Sequence, residues 1–220
     1  MERHFDEELN ELRSNILKIS DLARHAITES IEALKNSDSV RAKKVIDNDQ
    51  AVDDLELYID EKCIDLLARY QPMAADLRFI TTGLKLNAEL ERIADLAVDI
   101  AQRVLILVDK PLLKPIIDIP KLGDVAQNMV RDSIEAFIKR DVSLAYKVVK
   151  ADDEADMLKN KICDELVNDY MAKDSSCVNQ AVPLLLIARH LERICDHASN
   201  IAEDIFYMVQ GKVIKHHHNG

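Results

Sequence analysis

Two stretches decide how this chain is read: LKLNAELERIADLAVDIAQ at residues 84–102 and LLIARHLERICDHASNIAE at residues 185–203. Aligned without gaps, they share Leu-Glu-Arg-Ile, then Asp, then Ala, then Ile-Ala. Each carries acidic or amide side chains at i, i+4 and i+8: Glu91, Asp95 and Asp99 in the first, Glu192, Asp196 and Asn200 in the second. Positions four apart stand one above the other on nearly the same face of a helix. Each stretch therefore presents a short ladder of oxygen ligands. The apolar stripe of the first helix is Leu90, Ile93, Ala97, Ile100 and Val104, and the acids lie beside that stripe rather than in it.

The repetition extends upstream. Residues 30–53 align with 133–156 at a constant offset, and Ser-Ile-Glu-Ala is identical at 30–33 and 133–136. Asp38, Asp49 and Asp53 match Asp141, Asp152 and Asp156. An ungapped match across two helices and their turn marks an internal repeat. The preceding helix of each half thus offers its own i, i+4 pair, Asp49 with Asp53 and Asp152 with Asp156.

The chain has 220 residues, 48% of them hydrophobic and 31% charged, which is the composition of a globular protein. Only four glycines and five prolines interrupt it, so helices are long and turns are few. Phe5, Leu9, Leu12, Ile16, Ile19, Ala23, Ala26 and Ala33 follow a heptad seam with Ser30 filling the gap, which predicts a first helix over 5–36. Ser37 or Asp38 is placed to cap a second helix over 40–70, and Gln71-Pro72 ends it. A third helix runs from Met73 or Ala74 to about 108. Pro111, Pro115 and Pro120 make 110–120 a linker. Helices over 121–139, 141–172 and 177–211 follow, with Gly211 at the C-terminal cap. The reading is all-α: six long helices in two tandem, pseudo-symmetric three-helix bundles, 1–109 and 121–212, and a tail over 213–220 that contains His216, His217 and His218.

A net charge of −11 repels phosphate backbones and argues against nucleic-acid binding. Cys63, Cys163, Cys177 and Cys195 form no C-x-x-C, so reduced thiols in a cytoplasmic protein are the simplest account. No apolar run reaches the ~20 residues that span a bilayer. The N-terminal MERHFDEELNEL is charged and has no signal-peptide core.

Where second and third helices are neighbours, each half converges four or five oxygen ligands. Clustered carboxylates repel, and a multivalent cation relieves that repulsion. Oxygen-rich sets suit Mg, Ca, Mn or iron rather than soft metals, and one ion cannot neutralise so many acids, which favours multinuclear binding. The bland account is a solvated acidic edge paired to Arg92 and Arg103, and recurrence in both halves weighs against it. His190 and His197 flank the second ladder as packing residues or as ligands. Asp76 opens the third helix, where the dipole favours it, and Arg78 either pairs with it or reaches a partner. No Glu-x-x-His of a di-iron bundle occurs, nor a phosphate-binding glycine loop.

The motifs Gln71-Pro-x-Ala-x-Asp-Leu-Arg78, Leu90-Glu-Arg-Ile-x-Asp95 and Ala188-Arg-His-Leu-Glu-Arg-Ile-x-Asp-His-Ala-Ser-Asn-Ile-Ala-Glu203 resemble the PhoU family of bacterial phosphate-uptake regulators, over essentially the whole chain. The resemblance implies a cytoplasmic negative regulator of phosphate uptake and of the phosphate-starvation response. Its implied partners are the ATPase subunit of a phosphate ABC transporter and a sensor histidine kinase, with contact to the membrane only through them. It implies multinuclear metal clusters, iron first and Zn, Mn, Mg or Ca as alternatives. By match, the ligands are Glu91, Asp95, Asp99, Glu192, Asp196 and Asn200, with Asp49, Asp53, Asp152 and Asp156 from the preceding helices. Asp76, Arg78, Arg189 and His190 are the residues assigned to partner binding. An amphipathic helical body is also able to pair as a homodimer.

The chain departs from the family pattern in three places. Ala94 and Cys195 stand where glycine is common, and Cys195 adds a soft ligand or a redox-sensitive thiol. Asn200 replaces the acid found at Asp99, so the second site is the less negative. Two other readings compete: a carboxylate-bridged metalloenzyme, oxidase or phosphatase, and a structural bundle whose acids bind nothing.

Overall fold

Segments free of glycine and proline run on as helix until a particular residue stops them. The computed structural model describes residues 2–211, so the 213–220 tail with His216, His217 and His218 lies outside the described residues. The helices are α1 (Glu2–Asn36), α2 (Ser39–Asp47), α3 (Gln50–Tyr70), α4 (Ala74–Leu107), α5 (Asp118–Lys139), α6 (Val142–Glu165) and α7 (Val178–Gln210). A π-helical turn, Leu166–Met171, extends α6, and a 3-10 turn, Ser175–Cys177, leads into α7. No strand occurs among the described residues. None of these helices is long and apolar enough to cross a membrane.

The repeated Ser-Ile-Glu-Ala builds the same helix ending twice. Ser37 (φ 51°) and Arg140 (φ 55°) are left-handed, and the N–H of the next residue donates to a carbonyl five residues back. These bonds are Asp38 N to Ala33 O and Asp141 N to Ala136 O, both 2.9 Å, the Schellman arrangement. The two aspartates then cap the next helix: Asp38 accepts from Val40 N and Arg41 N, Asp141 from Ser143 N and Leu144 N. The motif repeats because one acid both closes a helix and opens the next.

The halves differ at one break. The single helix predicted over 40–70 is two, because the backbone shifts to three-residue bonding at Asn48 and Asp49, with Asp49 N donating to Ile46 O and Ala51 N to Asn48 O. Short polar side chains compete for backbone groups and weaken a helix. The equivalent of Asn48 is Ala151, the best helix former, and α6 runs through it unbroken. The linker is also shorter than predicted. Pro120 lies in the first turn of α5, where its missing N–H costs nothing.

Pro183 lies inside α7 and deprives the Asn179 carbonyl of its helical donor. Lys110 Nζ supplies one at 3.0 Å, and Gln180 Nε2 donates to Pro111 O at 3.1 Å, clipping the linker to the start of α7. Lys114, also on the linker, is buried and pairs with Glu165.

In the first bundle α1, α3 and α4 pack together with α2; in the second α5, α6 and α7 do. The most extensive contact joins the bundles, α4 against α7, with α1 against α5 beside it. One core runs through both halves. Its fully buried aromatics, Phe79 of α4 and Phe137 of α5, stack across the junction with centroids 4.6 Å apart. Phe137→Ala should cost about 3–5 kcal/mol and lower Tm by on the order of 10 °C in a single transition. Calorimetry checks this; two separate transitions would contradict a shared core.

Candidate metal centres

Apolar packing between α3 and α4 sets the acids facing each other. Val52, Leu55, Ile59 and Cys63 are buried from α3; Leu90, Ile93, Ala94 and Ala97 are buried from α4. Asn87, fully buried on α4, donates its Nδ2 to the Glu56 carbonyl at 2.8 Å and pins the two helices one turn before Glu91.

The first carboxylate face follows from this register. Burial, then Asp53 and Asp95, push Asp49 up to about 6. Burial, then Asp95, Glu56 and Asp53, push Glu91 up. Burial, then Asp53 and Asp99, do the same to Asp95. Asp49, Asp53, Glu91 and Asp95 are therefore linked through Coulombic neighbours, with Asp99 joined through Asp95. Glu56, which the i, i+4 pattern missed, belongs with them: burial, then Asp60 and Asp53, push it up. Among the described residues none of Asp49, Asp53, Glu56, Glu91 and Asp95 pairs with a Lys, Arg or His. Asp49 also borders a cleft of about 300 Å³ beside the α2–α3 break, lined in part by His25, Glu29 and Lys44.

The second face is built on α6 and α7. Burial, then Asp196 and Asp156, push Asp152 up to about 6. Burial, then Glu192 and Asp156, push Asp196 up. Here an ammonium intervenes: Lys159 Nζ lies 3.2 Å from Glu192 Oε1 and 3.5 Å from Asp156 Oδ1. Lys159 occupies the repeat position of Glu56.

The third rungs turn toward the α4–α7 seam. Asn200 Nδ2 donates to Glu89 Oε2 at 3.3 Å, and His197 Nδ1 lies 2.7 Å from the same oxygen. Burial alone would push Glu89 up; the contact with His197 outweighs it and holds the carboxyl below its usual value. In the pseudo-symmetric contact His190 Nδ1 lies 3.8 Å from Asp99 Oδ2. Burial pushes the His190 imidazole down against the pull of Asp99. Glu89 carried no motif of its own; it pairs with Arg92 one turn along α4, but its seam partners His197 and Asn200 lie more than a hundred residues away, so spacing within one helix gave no signal for the seam contact.

The residues assigned to partner binding are unevenly placed. Arg78 is committed within the chain, its Nε donating to Met208 O of α7 at 2.8 Å, and it does not pair with Asp76. Asp76 stands in the first turn of α4, and its N–H donates to Met73 O. His190 is 13% exposed in the seam, whereas Arg189 is exposed. Cys195 is fully buried, and burial holds its thiol well above the usual range. That disfavours the thiolate a soft ligand or a redox sensor needs.

The first face fits a hard multivalent cation: its donors are all oxygen, they repel, and the one internal cation acting on it, Arg92 beside Glu91, only partly offsets that repulsion. Among the described residues no three Asp, Glu, His or Cys side chains already converge on one ion position. Asp49, Asp53, Glu91 and Asp95, with Glu56 beside them, are the residues that would hold an ion there.

The raised carboxyls fix a pH dependence. The folded state holds a proton on Asp49 and Asp152 up to about 6, against 3.8 for the unfolded group. Proton binding therefore favours the fold, and these two groups stabilise it as pH falls through about 6 and destabilise it as pH rises. In chelator, Tm should rise between about pH 7.5 and about pH 5, and Asp49→Asn with Asp152→Asn should flatten that rise. Thermal melts across this range check it; an unchanged slope in the double variant would contradict the assignment.

The PhoU domain model matches twice, at residues 16–104 and 119–205. The chain is 36% identical to the phosphate-specific transport system accessory protein PhoU homolog of Clostridium acetobutylicum, covering 96% of each. It is 39% identical to the homolog of that description from Aquifex aeolicus, over 96% of this chain and 95% of the relative. The crystal structure of PhoU from Pseudomonas aeruginosa superposes with a TM-score of 0.90 at 34% identity, covering 94% of this chain and all of that one. The phosphate transport system regulatory protein PhoU from Streptococcus pneumoniae gives 0.88 at 28% identity, over 96% and 99%. With both halves matched and the fold shared, this chain belongs to the PhoU family.

Proposed function

We propose that this chain is an accessory protein of a phosphate transport system that restrains uptake and keeps the phosphate-starvation response off when phosphate is plentiful. The observation that carries the reading is the family match across both repeats, at full length and with the same fold. The relatives are named for accessory and regulatory roles, and the chain acts as such a protein rather than as an enzyme.

The physical role is that of an adaptor between the transporter ATPase and a sensor histidine kinase in the cytoplasm. A surface of net charge −11 suits basic docking surfaces and speeds encounter by steering. A multivalent cation, when bound, neutralises the repulsion across the first carboxylate face. The chain's own part is to hold the acids of α3 and α4 in register, through the buried apolar stripe and the Asn87 tie. Cross-braced in this way, α3 and α4 present one fixed surface to a partner.

Deleting the gene should leave phosphate-starvation genes on in phosphate-rich medium, and the intact gene should restore repression. A transcript measurement reads both. A gene carrying Asp53→Ala with Asp95→Ala should restore repression less than the intact gene at equal protein level. Normal repression in the deletion strain would contradict the regulatory assignment.

A further inference from the structure

The two repeats place different chemistry at matching positions. Along α3 and α4 the acidic positions are Asp49, Asp53, Glu56, Asp60, Glu91, Asp95 and Asp99; along α6 and α7 the matching positions are Asp152, Asp156, Lys159, Cys163, Glu192, Asp196 and Asn200. The first series holds seven carboxylates, the second only four together with an ammonium. The replacements fall inside the site. Lys159 Nζ lies between Asp156 and Glu192, at 3.5 and 3.2 Å, and its side chain is 21% exposed, so it is held there rather than extended into water. Cys163 stands one turn further along α6 and senses both Lys159 and Glu192. In the third rung Asn200 carries no charge and is committed to Glu89 across the seam.

From this geometry we infer that Lys159 is a built-in counter-ion that fills the role of the metal in the second half, leaving the α3–α4 face as the one tight multivalent-cation site of this chain. The inference rests on the metal-binding reading above and deepens it. A cation approaching Asp156 and Glu192 must displace the ammonium and then lie beside its charge, whereas one approaching Asp53, Glu91 and Asp95 displaces no bound ammonium, since Arg92 beside Glu91 is paired to Glu89 instead. The Lys159–Glu192 pair cross-braces α6 to α7 without metal, so the second half is fixed constitutively while the first responds to cation supply. Glu56 becomes the residue that decides specificity between halves, since it is where the repeats carry opposite charge.

The test uses the full chain and manganese(II) alone, with free ion counted from its electron paramagnetic resonance signal and folding checked by circular dichroism. The wild type should show one class of tight sites. Asp53→Asn with Asp95→Asn should abolish that class, and Asp156→Asn with Asp196→Asn should not. Lys159→Met, which keeps the apolar stem, should add a second class on the order of tenfold tighter than any wild-type binding in that half. Glu56→Lys, the mirror change, should weaken the first class by a similar factor. Equal loss from either carboxylate pair in the wild type, or Lys159→Met with no gained site, would overturn the inference while leaving metal binding itself standing. Absence of manganese binding in the wild type and in Lys159→Met alike would overturn both.

Discussion

Repulsion between carboxylates held face to face is the constraint on which the candidate sites depend. Each half packs two helices through apolar side chains, and the acids flanking that stripe come along whether or not their charges agree. Burial first, and then the neighbouring carboxylates, push Asp49, Glu56, Glu91 and Asp95 up. The apolar packing that imposes the register lies in one core shared by both bundles, so the acids cannot relax apart without unpacking buried side chains. A cation, a proton or a lysine is needed to offset what the core enforces, and the two halves meet that need differently.

Duplication explains the resemblance of the halves, and local chemistry explains their divergence. Asp38 and Asp141 do identical work because a helix end and a helix start meet there, and both need the same side chain. Asn48 and Ala151 differ, and only the first half carries a helix break beside its carboxylates. Glu56 and Lys159 differ in sign at matching places in the two sites. Asp99 and Asn200 have turned to the seam, where the halves hold each other through His190 and Glu89. Changes at these few positions separate two once-equivalent sites while the scaffold stays intact.

Much of this was legible in the sequence. The heptad seam of α1, the stop at Gln71-Pro72, the ladder spacing and the repeat offset all derive from local rules of helix geometry, and the architecture follows from them. The break at Asn48 was not legible, because neither residue there is a glycine or proline and only the contrast with Ala151 exposes it. Pro120 misled for the opposite reason: a proline reads as a stop, yet in a first turn it is compatible with helix. Arg78 drew attention as a partner-facing charge, but its partner, Met208 O, lies in α7, and no pattern within one helix reports a contact of that range. Lys159 stands three residues past the 133–156 stretch that matches 30–53, at the same offset from Glu56, and a pattern of shared acids does not report a mismatch.

A regulator of the proposed kind, built on a rigid helical scaffold, would need a way to let a small ion alter one surface without rearranging the core. Under the proposed reading, an acidic face that is incomplete alone and braced when a cation is bound would provide it, and a second face already braced from within would give it a fixed support. The most direct measurement is anomalous diffraction from crystals grown without chelator and soaked in manganese(II). The account predicts a peak between α3 and α4, bounded by Asp53, Glu91 and Asp95, and Lys159 still seated between Asp156 and Glu192. Those first-half carboxylates turned to bulk water with no peak between them would contradict it.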